Sequence, residues 1–328
     1  MEIGICIRSL DLSPREFASI AKKAEDLGYS NIWVTEELAR SGFGMLSAAA
    51  RETSRIALGT AIVSIYSRTP LTIAMEAATL AETAGSRFLL GLGAGGLDFT
   101  SRGHGIVAEK PIERMTDYVN IIRRYLAGDR VSYSGTLFNV ENMRMWIKPR
   151  EIVPICFAAL NPRMLQKAGE LADGLILNMF SPNASSYVKE NLSIGAKKAG
   201  RDLSNFKTYS FVLCGRAHEN EAELRRAVSF YCAAPTYQHM LSVLNFRETA
   251  ATVGNLWRSG ERDKAADSVP DALLHEVGIV SESDHAIKRL EEYSRSGIVP
   301  LLYPQPSRKN AFEDIEQILN RLAPALKA

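Results

Sequence analysis

Apolar residues fall into two alternating patterns along the chain. Short, nearly continuous apolar runs read as strands at "EIGICI" (2–7), "NIWVT" (31–35), "RIALGTAIVS" (55–64), "RFLLGLG" (87–93), "VPICFAA" (153–159), "GLILNM" (174–179), "KTYSFVLCG" (207–215) and "GIVPLLY" (297–303). Between them, helical patterns cover 14–27, 43–53, 71–84, 111–127, 162–172, 183–199, 219–232 and 310–322. Ser13-Pro14 opens the first helix and Gly28 closes it; Asn161-Pro162 opens another, an N-cap followed by proline in the first turn. Strands that each lead into a helix, with no polar alternation, predict an α/β fold: a (β/α)8 TIM barrel of parallel strands buried on both faces. A doubly wound open sheet is the other arrangement this pattern allows.

Two segments interrupt the alternation. "DRVSYSGTLFNV" (129–140) alternates polar and apolar around Ser134-Gly135 and predicts a hairpin insert. Residues 233–296 are more helical than strand-like and predict a second, helical insert before the last strand. Inserts that follow barrel strands roof the pocket, because barrel sites lie at the C-terminal ends of the strands. With no linker or repeat, 1–328 reads as a single domain.

"RFLLGLGAGG" (87–96) contains a G-x-G-x-x-G in Gly91, Gly93 and Gly96. A dinucleotide fingerprint needs a helix opening directly after such glycines. "LDFTSRGHGIVAEKP" shows no helical period, and the next helix is expected only near Pro111. The glycines therefore read as the exit of the fourth strand.

Composition narrows the function. The 39 basic and 37 acidic residues are interleaved, which argues against nucleic acid or an anionic membrane as partner. No run is long enough to span a bilayer. Cys6, Cys156, Cys214 and Cys232 lack metal or C-x-x-C spacing and read as reduced, buried thiols of a cytoplasmic protein. The apolar helix stretches "FGMLSAAA" and "LTIAMEAATLAETAG" suggest a homodimer or higher homo-oligomer interface. The strand ends supply Cys6, Arg8, Glu36, Glu37, Asn178 and Met179, but no Ser-His-Asp set, metal cluster or P-loop. A site so poor in nucleophiles borrows its chemistry from an organic cofactor and acts on a small molecule.

At this point a family likeness emerges. "IALGTAIVSIYSRTPLTIAMEAATLAETAGSRFLLGLGAG" with "VPICFAALNPRMLQKAGELADGLILN" resembles the bacterial luciferase-like flavin and deazaflavin oxidoreductases. The likeness is nearest to the coenzyme F420-dependent methylenetetrahydromethanopterin reductases and covers nearly the whole chain. It implies a barrel holding F420 at its C-terminal mouth and moving a hydride to or from a small organic substrate of the methylenetetrahydromethanopterin kind. It also implies a cis peptide at Ala61–Ile62, with Ala61, Ile62, Val63 and Ser64 backing the ring. Gly93, Ala94 and Gly95 are the implied backbone contacts. Ala158, Ala159, Leu160 and Asn161 are the implied phosphate cradle, with Asn178 nearby. An FMN-dependent monooxygenase and a non-catalytic flavin- or ligand-binding barrel are the other readings.

The chain also departs from that pattern. Glu36-Glu37 stands where the deazaflavin users carry Asp-His, and these two glutamates are the candidates for proton handling or substrate positioning. Gly96 replaces an acidic residue, with Asp98 two positions on; Cys6 replaces a glutamate and Asn161 a glycine. Arg8 and Arg68 are candidates for carboxylates of cofactor or substrate, with Arg68 also fitting a structural role at the bulge. His104 is expected at the pocket rim.

Overall fold

In the computed structural model, which describes residues 1–215, 221–280, 283–307 and 309–327, eight parallel strands close into a barrel. They are β1 (Gly4–Ile7), β2 (Asn31–Val34), a third strand in two pieces, β3 (Ala57–Thr60) and β4 (Val63–Ser64), and then β5 (Phe88–Gly93). A hairpin, β6 (Val131–Ser134) and β7 (Asn139–Met143), comes before β8 (Ile155–Ala158), β9 (Gly174–Leu177) and β10 (Lys207–Cys214). A short β11 (Gly278–Ile279) precedes the last wall strand, β12 (Ile298–Pro304). The β1–β12 and β9–β10 pairings complete the ring, so the open-sheet alternative is excluded.

The outer helices are α1 (Pro14–Leu27), α2 (Gly42–Glu52), α3 (Pro70–Ala84), α4 (Leu97–His104), α5 (Pro111–Ala127), α6 (Pro162–Leu171) and α7 (Ser185–Ala199). Then come α8 (Glu221–Ala233), α9 (Gln238–Val243), α10 (Arg247–Arg258), α11 (Arg262–Asp267), α12 (Asp271–Val277), α13 (Ser283–Arg295) and α14 (Ala311–Leu322). Local chemistry fixes their ends. Ser13 and Glu16 form a reciprocal capping box at α1, and Gly28 closes that helix at φ 97°.

Trp33 organises the barrel interior. Its indole N–H donates to Asn31 Oδ1 at 2.7 Å, and its ring lies against Gly59, where a Cβ would come within 2.1 Å of it. Tyr209 packs on the same indole, 4.8 Å between ring centroids. Only a glycine across from the tryptophan admits so large a ring at the axis.

Several expectations change. The glycine run does lead directly into a helix, α4, which begins right after Gly96; this corrects the loop expected up to Pro111. The helix has only eight residues with Gly103 inside and Gly105 behind, too little for a periodic signal. The third strand is broken rather than continuous. Of the helix expected over 219–232, the first two residues lie outside the described ones, and the rest is α8, which packs on α10 and α11. It is α13 that lies against β12 and α14. The small strand β11 pairs with the upper end of β10, in the place that β9 vacates.

The apolar stretches that suggested a dimer are largely consumed inside the chain. Phe43, Met45, Leu46, Ala49 and Ala50 of α2, and Ile73, Ala74, Ala77, Ala78, Leu80 and Ala81 of α3, are buried where these helices pack. That argument for a second copy therefore falls. No helix among the described residues is long and apolar enough to cross a membrane.

Candidate active site

The site starts from the break in the third strand. Up to Gly59, β3 pairs with β5 in register. The Thr60 hydroxyl then takes over from the backbone, accepting from the Gly91 amide at 2.8 Å and donating to the Gly91 carbonyl at 2.9 Å. The next peptide, Ala61–Ile62, is cis, as the resemblance implies. Pairing resumes at Val63↔Leu92 and Ser64↔Gly93, and Ser64 Oγ donates to the Ala94 carbonyl at 3.2 Å. The ribbon 61–64 is thus pinned at both ends to β5.

Gly93 makes room for a neighbour within the chain. Its missing side chain is occupied by the protein: a Cβ there would lie 2.9 Å from Ile62 Cγ1 and 3.1 Å from Ala158 Cβ. Ile62 therefore lies across Gly93 towards Ala158, and the three form a small apolar shelf at the mouth. Gly95 follows at φ 71°, beside Ser64, in backbone that favours glycine. Ala159 and Leu160 are buried behind the shelf, and the Leu160 carbonyl accepts from the Tyr187 hydroxyl at 2.9 Å. Asn161 caps α6 in extended backbone at φ −91°, so no left-handed residue is needed. Its carbonyl takes the Met164 and Leu165 amides, which leaves α6 fewer N–H groups for an anion than its position suggests.

Opposite the shelf the mouth is polar. Arg8 forms a two-pronged pair with Asp11, both contacts 2.8 Å, and its third nitrogen reaches Gln305 at 3.2 Å. Burial opposes the Arg8 charge, but Asp11 outweighs it and the guanidinium stays ionised. Nearby, Glu37 Oε2 is buried with no hydrogen-bond partner. Burial pushes the Glu37 carboxyl above the usual carboxylate range; Arg8 lowers it, Asp11 raises it again and the Thr35 hydroxyl lowers it.

Three tyrosines complete this wall. Tyr303 lies one residue before the end of β12, while Tyr231 on α8 and Tyr237 in the following turn reach in from the segment after β10. Asn178 donates to the Tyr237 hydroxyl at 3.2 Å, and its own side-chain oxygen accepts from the Met179 amide at 2.8 Å. Tyr231 and Tyr237 rings stand 4.9 Å apart, and Tyr303 packs on Phe211 at 4.7 Å. Burial raises all three phenols above their ordinary range.

The paired glutamates separate. Glu36 is tied to Arg68 by two contacts, one of them 3.0 Å, and accepts from the Gly42 amide at the start of α2 at 2.8 Å. Arg68 also meets Glu76 at 2.7 Å and lies over the Phe43 ring. Both Glu36 oxygens are therefore engaged away from the polar wall, and Arg68 has its own carboxylates. His104 is exposed at the end of α4; the Asp98 side chain lies outside the described residues.

Sequence reasoning missed Thr60, Asp11, Tyr231 and Tyr237. Arg8 and Asp11 stand three apart in "RSLD", a turn spacing that brings charged side chains together. "FYCAAPTY" concentrates aromatics just where the insert begins. Among the described residues, no His, Cys, Asp and Glu cluster is arranged to hold a metal.

Residues 1–299, nearly the whole barrel, match the family described as luciferase-like monooxygenase. The chain belongs to that family. This luciferase-like chain is 31% identical over 325 residues to a 5,10-methylenetetrahydromethanopterin reductase of Archaeoglobus fulgidus, covering 97% of each. It is 22% identical to an F420-dependent glucose-6-phosphate dehydrogenase of Amycolatopsis mediterranei, covering 93% of each. Its structure overlays that of the coenzyme F420-dependent tetrahydromethanopterin reductase of Methanopyrus kandleri with a TM-score of 0.81 at 25% identity, over 99% of both chains.

Proposed function

We propose that this luciferase-like chain is a coenzyme F420-dependent oxidoreductase that moves a hydride between the deazaflavin and a carbon of a small organic substrate. The observation that carries this reading is the division of the barrel mouth. A shelf of Ile62, Gly93 and Ala158 offers a small apolar bed, and an ionisable wall faces it. That donor-poor, apolar bed suits the face of a planar tricyclic ring, with Ile62 laid across Gly93 and the flanking Ala94, Gly95 and Ala159 all small. The ribbon Ala61, Ile62, Val63 and Ser64 would back the ring, with Leu160, Asn161 and Asn178 at the edge of the bed. The identity with methylenetetrahydromethanopterin reductases supports a substrate of that kind.

When bound, the deazaflavin supplies the carbon that donates or accepts hydride. The protein's part is orientation, exclusion of water and a proton. Of the two glutamates, we assign the proton to Glu37, because its Oε2 is buried and unpartnered while Glu36 is held in the Arg68 pair. A two-electron reduction of a carbon–heteroatom bond needs one hydride and one proton; Glu37 Oε2 would deliver the proton to the heteroatom. All four cysteines are free and buried, which supports a reducing, cytoplasmic setting.

Titrating the purified protein with F420 tests this. Saturable quenching of the coenzyme's fluorescence is expected, with FMN giving no comparable binding. No quenching overturns the reading, and tight FMN binding with a flavin spectrum favours the monooxygenase in its place.

A further inference from the structure

Among the described residues, the polar wall holds one cation and two carboxyls, and the pairing among them is unequal. Asp11 takes two nitrogens of Arg8 at 2.8 Å, Gln305 accepts from the third, and Glu37 Oε2 is left with no partner. The pair is preformed by the chain itself: the Asp11 amide donates to the Arg8 carbonyl at 3.1 Å, closing a turn that folds the carboxylate back onto its own arginine. A cation shared within one turn costs little chain entropy to place, so a more distant carboxyl competes poorly for it.

We propose that Asp11 is a positioning residue: by occupying the Arg8 guanidinium it keeps that cation from claiming the Glu37 carboxyl, and so leaves Glu37 able to carry a proton. The inference rests on the reading of Glu37 as the proton-holding group.

Among the described residues, the other groups facing Glu37 do not supply a competing charge. Cys6 at the end of β1, Tyr303 on β12, Tyr231 on α8 and Tyr237 in the next turn are all buried or partly buried, and burial keeps each of them protonated and neutral. Thr35 on β2 contributes a neutral hydroxyl. Among the described residues, Arg8 and Asp11 are thus the charges that decide the matter. Losing Asp11 removes a repelling carboxylate and frees an attracting guanidinium, and both changes favour ionised Glu37.

The test follows the Glu37 carboxyl directly, by carbon NMR of protein with labelled glutamate and no added coenzyme, using Glu37→Gln to assign the signal. In Asp11→Asn the titration midpoint should fall by about 1–3 pH units, the range for an opposite charge brought near a carboxyl. In Arg8→Gln it should rise. The basic limb of kcat/KM should move down with it in Asp11→Asn, since an acid loses its proton earlier. A structural role for Asp11 changes the melting temperature and leaves the midpoint where it was; an unmoved midpoint overturns the proposal. Should Asp11→Asn fail to fold, Arg8→Gln decides alone, and a midpoint that stays or falls overturns it. Full turnover in Glu37→Gln refutes the catalytic reading without touching the midpoint comparison.

Discussion

A single hydroxyl on Thr60 satisfies both backbone groups of Gly91, accepting from its amide at 2.8 Å and donating to its carbonyl at 2.9 Å. The side chain stands in for a rung of the barrel ladder where the backbone of the third strand turns aside. Thr60→Val keeps the shape and removes both bonds, leaving two buried backbone groups unpaired at a cost of about 2–4 kcal/mol. Urea unfolding should show that loss. Thr60→Ser should restore most of it, and coenzyme affinity should follow the same order.

Gly93→Ala probes the shelf. The new methyl group lies too close to Ile62 and Ala158 to be absorbed in place, so the Ile62 side chain must shift and disturb the shelf. We expect about 1–2 kcal/mol of destabilisation from overpacking and a larger effect on coenzyme binding, at least about tenfold. Equal affinity for F420 in the variant and the parent contradicts the shelf.

The two adjacent glutamates should behave oppositely. Glu36→Gln weakens the Arg68 pair and its hold on the start of α2, and should lower stability by about 2–3 kcal/mol, since both partners are largely buried. Glu37→Gln should fold as well as the parent, bind coenzyme, and lose about 10²–10⁴ in kcat. With the Glu37 carboxyl raised by burial, its proton persists to higher pH than a surface glutamate's; reduction should proceed below that value and fade as pH rises through it.

Acid stability depends on a different carboxylate. Glu25 on α1 accepts from the Ser54, Arg55 and Ile56 amides at 2.9, 2.6 and 3.0 Å. Burial works to raise it, but the Ile56, Arg55 and Ser54 amides, with Lys22, bring it from 4.5 to about 2. A depressed value stabilises the fold above the unfolded-state value. Stability should thus be complete above about pH 4.5 and decline as pH falls towards 2. At about 1.4 kcal/mol per pH unit the contribution is about 3 kcal/mol. Glu25→Gln should lose up to that much at neutral pH and show a flatter acid limb in melting experiments.

The wall strands and the main helices around them were legible because parallel barrel strands are apolar on both faces and the helices carry a clear period. The sequence was silent where geometry came from side chains. The apolar pattern of "GTAIVS" does not distinguish a strand that breaks from one that continues, because the Thr60–Gly91 bond joins residues far apart in the chain; the family resemblance alone pointed to Ala61–Ile62. The short α4 is too glycine-rich for a pattern to show. Adjacent glutamates look alike on paper; Arg68, brought in from the next loop, separates them. Tyr231 and Tyr237 reach the mouth only because the insert folds back over β9 and β12.

The double use of β10 has a mechanical consequence. Its lower half shares bonds with β9, while Leu213 and Cys214 pair with Gly278 and Ile279 at the close of the helical insert. The canopy above the mouth is stitched into the cylinder by main-chain pairing at Leu213 and Cys214. Heat should dissolve the two together in one cooperative step, with the β11 amide that faces β10 as slow to exchange with solvent deuterium as the wall itself.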